Sequence, residues 1–140
     1  MRAAREAGLT LCSGGIFGIG ETWDDRIDLA LTLRDVVRPE IVPLNFLHPI
    51  AGSPLEASRA LTPLDCLHIV ALFRLLLPKT DLKVAGGRLH NLRDLQSWLF
   101  YAGATSLMVG GYLTTCGRDI PADRRMVDDL DLRLAPRIQP

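Results

Sequence analysis

Cys12-Ser13-Gly14-Gly15-Ile16-Phe17-Gly18-Ile19-Gly20-Glu21 is the stretch that decides how this chain is read. A short apolar segment, Leu9 to Leu11, runs into a cysteine, then into four glycines within seven residues, then into a carboxylate that opens a helix. Glycine adopts backbone angles that other residues resist and lets main chain approach a ligand closely. A cysteine at the mouth of such a turn can be a nucleophile or a metal ligand. Leu9 to Cys12 is therefore expected to be a strand ending at Cys12-Ser13, with a ligand site at its carboxyl end. The spacing Gly15-x-x-x-x-Gly20 imitates a phosphate loop, but Glu21 stands where the lysine belongs and would repel a phosphate. Nor does Gly18-x-Gly20 continue to the third glycine of a dinucleotide fingerprint.

Strand-like and helix-like segments alternate on both sides of this stretch. Arg2 to Ala7 reads as the last turns of a helix, with Gly8 just past its end, as if earlier units were missing. Thr22 caps a helix to Val36, with Asp24 and Asp25 in the first turn and Ile27, Ala30, Leu31 and Leu33 on one apolar face. Ile41 to Phe46 is a second strand, and a Pro/Gly-rich loop covers Leu47 to Ala60. Thr62-Pro63-Leu64-Asp65 opens a helix to Leu77, stopped by Pro78. Leu82 to Ala85 is a third strand, Asn91 caps a helix ending at Gly103, and Ser106 to Val109 is a fourth strand. Gly110 to Ile120 is a loop before a short polar helix, about Pro121 to Leu130. This order predicts an α/β fold with a parallel sheet and covering helices. About four βα units make half of a TIM-type (β/α) barrel, in a single domain spanning residues 1–140. A half-barrel leaves two sheet edges and one face of the barrel core to be covered by a partner.

Composition narrows the function. Hydrophobic residues are 48% of the chain, enough for a core, and Lys+Arg and Asp+Glu balance at 16 each. No global field draws nucleic acid or an anionic membrane surface. The longest apolar run, Ile69 to Leu77, is broken by Arg74 and is too short to span a bilayer. The first residues lack the apolar core of a signal peptide, and three distant cysteines do not make a disulfide framework, so the chain is expected to be cytoplasmic. His48, His68 and His90 lack zinc-site spacing.

Polar residues gather just past the strands, where barrels and open α/β sheets build their sites. They are Cys12-Ser13, Asn45, Ala85-Gly86-Gly87-Arg88 and Gly110-Gly111-Tyr112-Leu113-Thr114-Thr115. Each has a plainer reading. Cys12 taken alone is more often a small buried hydrophobe, Asn45 can satisfy backbone groups at a strand end, and Arg88 can form a surface ion pair. Thr114-Thr115 can simply begin a turn. Cys66 sits among Leu64, Ile69, Val70 and Phe73 and reads as core, Cys116 as a free thiol in a loop, and Asp128, Asp129 and Asp131 as a solvated face.

Five motifs in series decide between these readings. They are Cys-Ser-Gly-Gly-Ile-x-Gly-x-Gly-Glu-Thr from Cys12, Pro-x-Asn-Phe-Leu-x-Pro-Ile from Pro43, Ala-Gly-Gly-Arg-x-x-Asn-Leu-x-Asp-Leu-Gln from Ala85, Ala-Gly-Ala from Ala102, and Met-Val-Gly-x-Tyr-Leu-Thr-Thr from Met108. Over about Ala3 to Leu132 the chain resembles the carboxyl-terminal half of the biotin synthases, radical S-adenosylmethionine (SAM) enzymes with a TIM-type barrel, including their biotin and thiamin synthesis-associated domain. The resemblance implies conversion of dethiobiotin to biotin. A four-iron four-sulfur cluster cleaves SAM to a radical, and an auxiliary two-iron two-sulfur cluster supplies the sulfur. It implies Cys12 and Arg88 as auxiliary-cluster ligands, Gly14, Ile16, Gly18 and Glu21 as the strand motif against SAM, and Asn45, Thr114 and Thr115 as substrate-binding residues. The Cys-x-x-x-Cys-x-x-Cys loop of the radical cluster does not occur in these 140 residues, nor do the other auxiliary-cluster cysteines. His48 replaces a usual asparagine, Leu89 a usual acid, Thr105-Ser106 the common Asn-Gly or Asn-Ser, and Cys116 a usual proline or small residue. One part of a split or truncated enzyme is therefore expected, acting with an amino-terminal half or as a homo-oligomer. The alternatives are a catalytically inactive remnant or interaction module of the same fold, and a relative from thiamine synthesis or hydrogenase maturation.

Overall fold

The computed structural model describes residues 2–111 and 116–135. They fall into two compact units, Met1–Met108 and Val109–Pro140.

The first unit repeats strand and helix. Helix α1 is Arg2–Glu6, and Gly8, at φ 75°, turns the chain out of it. Strand β1 is Gly15–Phe17, later than the Leu9–Cys12 strand the sequence predicts, where Cys12 makes only an isolated bridge to Ile41. The glycines move the strand. A Cβ on Gly14 would fall on the main-chain carbonyl of Pro43, and one on Gly15 would lie 2.8 Å from Leu29 Cδ2. Only glycine lets this segment pair closely with its neighbour. The positive φ values come after the strand, at Gly18 (92°) and Gly20 (112°).

Helix α2, Trp23–Thr32, opens with a capping box: Thr22 Oγ1 accepts from Asp25 N–H, and Asp25 accepts from Thr22 N–H. It runs into a π-helical turn, Leu33–Val37, ended by left-handed Arg38. Strand β2 is Ile41–Phe46. Helix α3, Pro63–Leu76, opens with a second capping box, Thr62 with Asp65, and has the expected Pro63 in its first turn. Strand β3 is Asp81–Val84. The sequence predicts one helix capped by Asn91; instead helix α4 is Arg88–Leu92, entered through left-handed Gly87. A single 3₁₀ turn, Arg93–Leu95, and helix α5, Trp98–Ala102, follow, and Gly103 ends the run as expected. Asn91 lies inside α4, where its Nδ2 donates to the carbonyls of Leu47 and Gly87. Strand β4 is Ser106–Leu107.

All four strands are parallel in the order β1-β2-β3-β4, with Gly15 opposite Leu44, Leu44 opposite Val84, and Val84 opposite Leu107. Alternation divides the faces. Phe17, Val42, Leu44, Phe46, Leu82 and Val84 are buried in one core with Ala30, Leu33, Ile69, Val70, Phe73 and Leu99 from the helices. Phe17 and Phe73 meet edge to face, ring centroids 5.3 Å apart. The alternate positions, Gly14, Ile16, Pro43, Asn45 and Lys83, belong to the other face, where Ile16 is 55% exposed.

In the second unit, helix α6 is Ile120–Asp129, with Asp119 accepting from Ala122 N–H as its cap. Arg118 Nη1 lies 3.6 Å from buried Asp123 and 3.1 Å from Met126 Sδ. Among the described residues, no helix is long and apolar enough to cross a membrane.

Candidate functional site

The start of β1, the carboxyl end of β2 and the turn after β3 meet at one side chain. Asn45 Nδ2 donates to Gly15 O (3.2 Å), and Asn45 Oδ1 accepts from Gly86 N–H (2.9 Å). One amide thus joins the first strand, its own strand and the turn after the third. A Cβ on Gly86 would lie 3.1 Å from Asn45 Oδ1, so the glycine makes room for the contact. A primary amide has two N–H groups and two acceptor lone pairs, so each end of Asn45 has capacity for one further hydrogen bond.

The glycine motif forms the next part of this rim. Ile16 projects from the exposed face, and the turn Gly18–Gly20 is folded around Glu21. Gly18 N–H donates to both Glu21 oxygens (2.8 and 3.0 Å), and Ile19 N–H to Oε2 (2.9 Å). Arg26 closes the arrangement, its Nε and Nη2 on Glu21 Oε1 at 2.9 and 2.7 Å and its guanidinium 4.5 Å from the Trp23 ring centroid. Partial burial pushes the Glu21 carboxyl up, but the Gly18 N–H and the Arg26 guanidinium outweigh it and hold the group below the usual glutamate range. Glu21 is a carboxylate that shapes the turn.

Arg88 begins α4 directly after Gly86-Gly87. It is 1% exposed, and its Nη1 donates to Gln96 Oε1 at 2.9 Å. Nearby, His48 and His90 stack with ring centroids 4.2 Å apart. Burial, then the neighbouring His48 and Arg93, lower the His90 pKa. Neither the buried Arg88–Gln96 pair nor the histidine stack is visible in the sequence, because the first spans the break after α4 and the second joins segments far apart in the chain.

Cys12 lies elsewhere. It is exposed, and its bridge to Ile41, with Ile41 opposite Asp81, puts it level with the start of the strands. From Asp81 to Ala85 the chain already advances ~13 Å at ~3.3 Å per residue, before Arg88 is reached. The structure therefore brings Asn45, Gly15, Gly86 and Arg88 to one rim and holds Cys12 away from Arg88. Thr114 and Thr115 lie outside the described residues. Among the described residues no group of three or more His, Cys, Asp or Glu side chains could hold a metal ion. An exposed thiol fits one corner of an iron–sulfur cluster, whose other ligands must come from outside this set. Arg88 fits such a cluster only after its guanidinium turns from the enclosed position beside Gln96. Cys66, in contrast, is buried in α3, and burial pushes its thiol up to about 12.

Comparison with known proteins follows the same residues. The Biotin and Thiamin Synthesis associated domain matches residues 43–133. The biotin synthase of Geobacter metallireducens is 54% identical over 132 residues, 94% of this chain and 40% of that protein. Those of Geotalea daltonii and Endomicrobium trichonymphae are 53% and 49% identical over 96% and 97% of this chain. The chain spans about two fifths of the length of these relatives. Among solved structures, methylornithine synthase (PylB) superposes with a TM-score of 0.75 at 24% identity, over 96% of this chain and 43% of that one. That likeness concerns the fold, an α/β sheet that is part of a TIM-type barrel.

Proposed function

This chain belongs to the family of Biotin and Thiamin Synthesis associated domains, and we propose that within it the chain forms the carboxyl-terminal region of a biotin synthase. The substrate is then dethiobiotin, and the partner is the amino-terminal part of the same enzyme, which completes the barrel against the exposed sheet face. When bound, the four-iron cluster with SAM supplies the radical and the auxiliary two-iron cluster the sulfur.

This chain's own residues bind and orient. Cys12 offers an accessible thiol, which binds iron as the thiolate. Ile16 presents an apolar surface to the flat adenine of SAM, and Gly14 and Gly18, bare of side chains, keep that surface clear. Glu21 holds the Gly18–Gly20 turn in place. Asn45 fixes the rim and directs its remaining N–H toward the substrate. Thr114 and Thr115 offer hydroxyls to the substrate carboxylate. Arg88 is the second ligand offered to the auxiliary cluster, after a change of rotamer. The observation that carries this reading is the Asn45 amide, which joins Gly15 to Gly86 and so brings three of the family's motifs to one rim.

The test joins this chain to the amino-terminal part of the Geobacter metallireducens biotin synthase and reconstitutes the product anaerobically with iron, sulfide, SAM and dethiobiotin. Biotin is expected, and Cys12→Ala is expected to abolish it. A folded, cluster-loaded fusion that makes no biotin would reject the catalytic reading and leave an inactive module of the same fold.

A further inference from the structure

We propose that Lys83 is the charge by which this chain recognises the amino-terminal part of the enzyme, pairing inside the completed barrel with an Asp or Glu carboxylate that this part supplies. The inference rests on the reading of the chain as the carboxyl-terminal region of a biotin synthase, and it deepens that reading by naming a contact between the two parts.

Lys83 stands between Leu82 and Val84, which are both buried in the core, so alternation turns it to the opposite face of the sheet. It is half-buried there. The strand register gives its surroundings. Pro43 lies beside it on β2 and Ser106 on β4. The next row toward the carboxyl ends holds Ile16 and Asn45. The row toward the strand starts holds Cys12, Ile41 and Asp81. The four strands thus carry one base and one acid, Lys83 and Asp81. Asp81 is engaged elsewhere, because its Oδ1 accepts from the hydroxyls of Thr105 and Ser106 at the start of β4. Among the described residues Lys83 has neither a hydrogen-bond nor an ion-pair partner.

An ammonium on an open sheet face is solvated by water. Closing a barrel over that face replaces the water with layers of packed side chains. An enclosed charge without a partner is strongly destabilising, whereas one with a well-placed counter-ion is tolerated. This chain supplies no free carboxylate on that face, so the counter-ion comes from the residues that close the barrel. They are numerous enough, since this chain matches 40% of the Geobacter metallireducens enzyme. The depth of Lys83 favours a side chain over a ligand as the partner. It lies a row below the Asn45 rim, toward the barrel floor, and barrel ligands bind at the carboxyl-end rim. The same charge rejects a wrong register, because an apolar or basic side chain set opposite it leaves the ammonium enclosed and unpaired.

The test uses the fusion of this chain to the amino-terminal part of the Geobacter metallireducens enzyme, and it needs neither a cluster nor turnover. Two separate melting transitions would show that the parts do not close one barrel, and would reject the underlying reading by itself. With a single transition, Lys83→Met is expected to lower the midpoint by about 4 °C or more, as befits a buried acid left unpaired. Acids of the amino-terminal part are then changed one at a time to their amides in the Lys83→Met protein, and one of them is expected to restore the midpoint. A midpoint unmoved by Lys83→Met, or restored by none of the amides, overturns the inference. A second measurement needs no variant. Lys79 and Lys83 are the chain's two lysines, and Lys79 is exposed. In the fusion, an acetylating reagent followed by mass spectrometry is expected to modify Lys83 about tenfold or more slowly than Lys79, because only the free amine reacts and a carboxylate partner keeps it charged. Equal rates overturn the inference. Protection of Lys83 that appears only when dethiobiotin is added gives the ammonium to the substrate carboxylate instead, and overturns the pairing between the parts.

Discussion

Asn45→Leu separates the two tasks of the residue at the centre of the rim. The substitution keeps the side-chain size and removes both amide ends, leaving Gly15 O and Gly86 N–H without that partner. Each bond of this kind contributes a net ~0.5–1.5 kcal/mol. Both lie in a partly buried region, so the pair is worth about 2 kcal/mol. At ~2.1 cal/mol/K per residue, the unit Met1–Met108 unfolds with an entropy of about 0.23 kcal/mol/K. The melting temperature is then expected to fall by about 9 °C. Differential scanning calorimetry of the two proteins at pH 7, without substrate, reads this directly. A melting temperature within about 1 °C of the original would refute the stapling role and leave Asn45 as a substrate contact only.

Three further outcomes follow from the same geometry. Gly14→Ala, whose methyl would fall on the Pro43 carbonyl, is expected to cost about 3 kcal/mol or more in chemical denaturation, well above Gly111→Ala, where nothing lies within 4 Å; equal losses would count against the close approach to Pro43. In the native chain at pH 8, a thiol reagent is expected to modify exposed Cys12 and Cys116 and to spare Cys66, whose thiol burial holds near 12, until the chain unfolds; early labelling of Cys66 contradicts the core packing. Glu21 titrates below its ordinary value of 4.5 in the folded chain, so its stabilisation is full above that value and is lost as pH falls through the folded pKa; Glu21→Gln is expected to flatten the acid limb of a melting-temperature profile, and an unchanged limb counts against the Gly18 and Arg26 contacts.

Much of the fold was legible because local chemistry and tertiary structure agree. Thr22 with Asp25 and Thr62 with Asp65 announce their helices and form both capping boxes. Ile41–Phe46 is a strand on the predicted bounds, and Gly103 ends its helix. The first strand was misplaced because glycine pairs read locally as turns, whereas here contacts from Pro43 and Leu29, distant in sequence, demand them in a strand. The break at Arg93 has no local signature, since nothing in an arginine favours a positive φ. The expected site positions divide in the same way. Asn45 lies at the carboxyl end of its strand and Gly86 past its own, as foreseen, while the buried Arg88 bonds to Gln96, eight residues away across a break no pattern reveals.

The strand order has a consequence for how the chain comes into being. Strands β1 to β4 lie side by side in the order in which they are synthesised. A ribosome adding ~5–20 residues per second delivers them one after another, seconds apart. Each strand emerges to find its neighbour already present, and no later segment must thread between two earlier ones. The fold can therefore grow like a wall laid course by course, with β4 as the last course of the four-stranded sheet.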